Sequence, residues 1–83
     1  MRNSRFSLES RMNAAIYELQ GFAIVLDKIA FVTRVFESED KAGFQFNIRF
    51  FGDLRLAPQF PTRPDAELGR QLLIKALRER LED

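Results

Sequence analysis

Phe44-Gln45-Phe46-Asn47-Ile48-Arg49-Phe50-Phe51 decides the fold. Phe44, Phe46, Ile48 and Phe50 fall on one side of an extended chain, and Gln45, Asn47 and Arg49 fall on the other. That alternation marks a strand with one buried face. Two turns bracket it. Upstream, the polar run Glu37–Gly43 closes a hairpin, with a solvent-exposed tip and with Gly43 expected at positive φ. Downstream, Gly52-Asp53 reverses the chain. The neighbours are also strands. Ile29–Phe36 is rich in β-branched and aromatic residues. Leu54–Phe60 alternates, with Leu54, Leu56 and Phe60 inward and Arg55 and Gln59 outward. Pro58 has no amide hydrogen, so this last strand lies at an edge or ends there.

Further out the pattern changes. Tyr17 and Leu19, then Ile24 and Leu26, alternate about Gln20-Gly21, which predicts a hairpin over 15–26. Leu8, Met12, Ala15, Ile16 and Leu19 also fall at helical spacing, with Ser7 as N-cap and Gly21 as stop. Residues 7–20 are therefore open between helix and strand. Residues 1–13 are polar and suit a flexible arm. At the other end a helix is predicted over 62–82. Thr62 caps it, Asp65 and Glu67 sit in its first turn, and Arg78 and Arg80 sit in its last. Positions 68, 69, 72, 73, 76 and 77 form its apolar stripe, which Ile74 and Leu81 widen. Leu72 and Leu77 are expected against Phe46, Ile48 or Phe50. The expected fold is α+β in a single domain, 1–83. An antiparallel meander of four to five strands (15–60) carries the C-terminal helix on one face.

Composition narrows the chemistry. The chain has 13 basic and 12 acidic residues and a net charge of +1, with no Cys, His or Trp. Disulfides, Cys/His metal sites and every device that needs imidazole or thiolate are excluded. The longest apolar runs, Phe22–Leu26 and Ile29–Val32, fall far short of the ~20 residues of a membrane span. No apolar stretch follows Arg2, Arg5 and Arg11, so no secretory signal is expected and a cytoplasmic location is. The glycines form no phosphate loop. Asp27 and Asp53 read as turn residues. Glu37, Glu39 and Asp40 lack the ligand count of a Ca²⁺ loop. Gly43-Phe44-Gln45-Phe46 fails as an RNA-recognition strand, because Ala42 precedes it and Phe44 and Phe46 face the core. No enzyme activity, cofactor or metal is expected.

Two surfaces remain as candidates. Arg34, Arg49 and Arg55 come from three successive strands and are expected on one sheet face with Gln45, Asn47, Gln59, Val32, Phe36 and Phe51. Arg34, Phe36, Asn47, Arg49, Phe51 and Arg55 would there form a partner or nucleic-acid surface, by stacking and phosphate contact. Arg70, Ile74, Arg80 and Leu81 on the helix are expected at a self-association interface, the two Arg at its rim. A domain this small, without a disulfide or metal, gains stability by associating.

The run Leu19-x-Gly21-x-x-Ile24-x-Leu26-Asp27-x-Ile29-x-x-Val32, then a charged loop, an aromatic strand, a Gly turn and a final helix, resembles small uncharacterised bacterial α+β proteins. Over about residues 16–81 the resemblance implies an antiparallel meander followed by one helix, and no functional residues. The functional expectation is a small, self-associating, non-enzymatic protein-interaction module, a homodimer. The alternative is a nucleic-acid-binding or regulatory accessory protein that uses the Arg/aromatic face.

Overall fold

The computed structural model describes residues 16–82. Among these residues eight short antiparallel strands and one C-terminal helix make an α+β fold. Strands β1 (Ile16–Leu19) and β2 (Phe22–Val25) form a hairpin. A single 3-10 turn, Leu26–Lys28, leads into β3 (Ile29–Val32). Then follow β4 (Phe36–Glu37), β5 (Phe44–Gln45), β6 (Ile48–Phe50), β7 (Arg55–Leu56), β8 (Gln59–Phe60) and helix α1 (Arg63–Glu82). The strand reading therefore holds for residues 16–19. The polar arm and the rest of the helical alternative lie outside the described residues.

Six of the eight strands are the expected meander, creased; the β1–β2 hairpin is a separate two-stranded sheet and not part of it. Beyond the β1–β2 hairpin they form two three-stranded sheets, β3-β6-β7 and β4-β5-β8. Each long strand of the sequence pattern contributes to both sheets. The second break has a simple cause. Phe46-Asn47 faces Ala57-Pro58 in unbroken register, but Pro58 cannot donate to the ladder. Accordingly β7 and β8 end on either side of it, and both are edge strands, as anticipated.

The first break is a bulge. Between the pairs Val32↔Ile48 and Phe36↔Gln45, three residues (Thr33–Val35) stand opposite two (Phe46, Asn47). A second irregularity lies between Ile29 and Phe31. An extra residue inverts which side chains face inward. Val32 therefore pairs with Ile48 on the core side, and Phe31 takes the outward position opposite Arg49. Val32 was expected outward, and the bulge is the physical reason it is not. Thr33 closes the gap: its N–H donates to Asn47 O (2.9 Å), and its Oγ1 accepts from the Asn47 N–H (2.8 Å).

The core comprises Ile24, Leu26, Val35, Phe46, Ile48, Ala66 and Leu73, with Phe44, Phe50, Leu56 and Phe60 packed against it. The inward set of the central strand is thus as its alternation required. Helix α1 is rotated relative to expectation. Leu73 is fully buried, Leu77 is half-buried, and Leu72 is 48% exposed. The rotation follows from close approach at Gly69, where an added Cβ would stand 2.7 Å from the Phe60 ring. Phe60 in turn stacks on Phe46, with ring centroids 5.8 Å apart. The buried stripe therefore runs through Ala66, Gly69, Leu73 and Leu77 at helical spacing. Thr62 caps the helix as expected, accepting from the Asp65 N–H (3.2 Å).

Two other expectations change. Leu54 is 70% exposed, because it belongs to the turn before β7 and not to the strand. Gly43 does not take positive φ; Lys41 does, at φ 57°. A side chain at 43 is excluded instead by the Phe60 carbonyl oxygen, 2.5 Å from where its Cβ would be.

Candidate interaction surfaces

The outer face of the creased sheet is built in cross-strand rows. Phe31, Arg49 and Arg55 form one row, through the pairs Phe31↔Arg49 and Arg49↔Arg55. Phe36, Gln45 and Gln59 form another. Residues directly opposite in an antiparallel ladder share a face, so the groups in each row are neighbours. Between the rows the amides form a directed chain. Gln59 Nε2 donates to Gln45 Oε1, and Gln45 Nε2 donates to Asn47 Oδ1, both at 3.2 Å.

These groups line a polar groove of about 510 Å³ with Phe36, Asn47 and Arg55 in its walls. Of the six residues nominated for this face, three are therefore in one groove. Arg49 lies beside Arg55 in the adjoining row, and Phe51 lies just past the end of β6. Arg34 is exposed within the bulge and is not in the ladder. Glu39 and Asp40 close the far wall of the groove. The carboxylate of Asp40 accepts from the Ala42 N–H and the Ser38 hydroxyl, both at 3.0 Å. Those bonds hold it below the usual carboxylate range, the Ala42 bond most strongly. Residues 39–42 of the tip are exposed, as expected, but Ser38 (4% exposed) and Gly43 are buried, and Asp40 is bonded to its own loop.

A second surface is apolar. Phe31, Phe51, Ile74, Leu77 and Leu81 line a groove of about 500 Å³ between α1 and the sheet. Phe51 is 66% exposed and Leu81 83%. Ile74 and Leu81, nominated for self-association, are both here. Arg70 and Arg80 are engaged within the chain. Arg70 Nε donates to Thr33 O at 2.8 Å. Arg80 donates from Nε and Nη2 to both oxygens of Asp27, at 2.9 and 2.8 Å. That paired bond lowers the Asp27 pKa. These guanidinium groups fasten the helix to the sheet.

Phe31 was absent from the nominated residues. Only the bulge turns it outward, and nothing in the local composition announces a bulge. Among the described residues, no group of three or more His, Cys, Asp or Glu is placed to hold a metal ion. No described helix is long and apolar enough to cross a membrane. No protein-family model, curated protein or solved structure matches this chain. The resemblance to small bacterial proteins therefore rests on the sequence pattern alone.

Proposed function

We propose that this protein is a small, self-associating, non-enzymatic interaction module that forms a homodimer. The observation that carries the reading is the groove formed by Phe31, Phe51, Ile74, Leu77 and Leu81. It joins the helix to the outer sheet face and leaves large apolar side chains in water. Burying such a surface against a second copy removes it from water, and a closed two-fold pairing is the commonest arrangement. Leu81→Arg tests it. This side chain is 83% exposed, so the substitution leaves the core intact. It should convert the dimer to a monomer in sedimentation velocity. An unchanged sedimentation coefficient would contradict the reading. A cytoplasmic location is part of the proposal.

The second reading is single-stranded nucleic-acid binding on the Phe31–Arg49–Arg55 row. The favouring observation is that two cations and an aromatic ring stand side by side. The carboxylates of Glu39 and Asp40 in the adjoining groove weigh against it, as does a net charge of only +1. Salt-sensitive binding of an oligothymidine, lost in Arg49→Ala, would promote this reading.

A further inference from the structure

A third cavity, of about 560 Å³, lies between β2 and β7. Its lining has an unusual pattern. Four consecutive residues of β2 (Phe22, Ala23, Ile24, Val25) and the consecutive run Leu54, Arg55, Leu56 border it. A sheet face presents alternate residues to a cavity, whereas a consecutive run means that the strand's edge faces it. Among the described residues both strands are outermost in their sheets: β2 pairs only with β1, and β7 only with β6.

The unpaired backbone groups follow from the ladder geometry. Gln20 and Gly21 take φ of 51° and 85°, a two-residue turn of the kind favoured in hairpins. Leu19 and Phe22 are then a hydrogen-bonded pair, and strict alternation turns the N–H and C=O of Ala23 away from β1. On β7, the Phe50 N–H bonds to Leu54 O at 3.1 Å. The same alternation turns the N–H and C=O of Arg55 away from β6. Among the described residues, no backbone bond outside the ladders takes up these groups. Two hydrogen bonds lie beyond the ends of these strands: Gln20 Nε2, in the β1–β2 turn, donates to Gln59 O of β8 (2.7 Å), and the Phe51 N–H, just after β6, donates to Lys28 O (2.8 Å).

The space is therefore a slot with a strand edge along each side. Its walls are Phe22, Val25, Phe51, Leu54 and Leu56, and the charged residues lining it, Lys28 and Arg55, are both cations. We propose that the slot binds an extended peptide strand of a partner protein, apolar at alternate positions and carrying carboxylates that meet Lys28 and Arg55. The strand would bond to the edges at Ala23 and Arg55 and join the hairpin to the β3-β6-β7 sheet. This is recognition by strand addition, in which the backbone supplies affinity and the wall side chains supply selection. It rests on the interaction-module reading but not on self-association: Leu81, Phe31 and Ile74 take no part in the slot, and Phe51 is the one residue that lines both it and the apolar groove.

The test uses the full chain and a probe labelled at its N-terminus, fluoresceinyl-Thr-Val-Glu-Val-Thr-Val-Glu-amide. Anisotropy should report saturable binding. Amide exchange at Ala23 and Arg55 should slow by about tenfold or more in the complex. Lys28→Glu should weaken the Glu-bearing probe about tenfold and favour its Lys-bearing counterpart. Any of three results would overturn the proposal: no binding at millimolar peptide, binding without slowed exchange at those amides, or slow exchange there before peptide is added. In the last case the slot is already filled, by residues of this chain or of a second copy. A Leu81→Arg monomer that still binds the probe would separate this site from the dimer interface.

Discussion

Arg70 Nε donates a 2.8 Å hydrogen bond to the carbonyl oxygen of Thr33, thirty-seven residues earlier in the chain. The bulge at Thr33–Val35 takes this carbonyl out of the strand ladder, and the helix supplies the donor it would otherwise lack. The defect in the sheet and the docking of the helix are thus one feature. Arg70→Met keeps most of the apolar stem and removes the donor. It should cost about 1–2 kcal/mol in urea unfolding. A cost within about 0.5 kcal/mol, the level of an ordinary surface change, would show that the bond is not holding the helix.

Leu73 and Leu72 are adjacent in sequence and opposite in environment. Leu73→Ala should cost about 2–5 kcal/mol, since its side chain is fully enclosed. Leu72→Ala should cost less than about 1 kcal/mol. Reversed magnitudes in denaturant unfolding would mean that α1 is rotated from the position described.

Two glycines converge on Phe60. Alanine at position 69 gains about 1 kcal/mol in helix propensity, but its Cβ would meet the Phe60 ring at 2.7 Å. Stacking on Phe46 leaves that ring little room to retreat. Gly69→Ala should therefore destabilise, by about 1–3 kcal/mol of overpacking set against the propensity gain. Phe60→Leu should relieve the clash in the double variant. Gly43→Ala should be worse, because it meets a backbone oxygen that cannot move aside. Thermal melts of the three single variants and the double variant test the coupling.

Acid should act through Asp27 and Asp40. Both have pKa values below the ordinary 3.8, Asp27 chiefly through its bonds to Arg80 and Asp40 chiefly through the Ala42 amide. A depressed folded-state pKa contributes stability that is present above the unfolded value. That stability is lost as the pH falls below about 4 and through the lower folded values. Asp27→Asn should lower the melting temperature near neutral pH and flatten its fall in this window. An unchanged acid limb would mean that the Asp27–Arg80 pair does not form in solution.

The central strand was legible because Phe44, Phe46, Ile48 and Phe50 obey one period without interruption. The edge break was legible because Pro58 cannot donate a hydrogen bond, wherever it stands. The Thr62 cap was legible for a similarly local reason. Val32 was misplaced because the bulge depends on register with Asn47 and on a helix residue, Arg70, far away in sequence. Leu72 and Leu73 could not be ranked because both belong to one broad apolar arc. The deciding contact, Gly69 against Phe60, is tertiary. On the apolar surface, Ile74 and Leu81 were visible as apolar residues in excess of one sheet contact. Phe31 was not, since its outward orientation follows from the same bulge.

Self-association is the central claim, and light scattering coupled to size exclusion tests it most directly. At tens of micromolar the unmodified chain should elute with a mass near twice its 9.7 kDa. Leu81→Arg should elute at the monomer mass under the same conditions. A monomer mass for the unmodified protein would contradict the account.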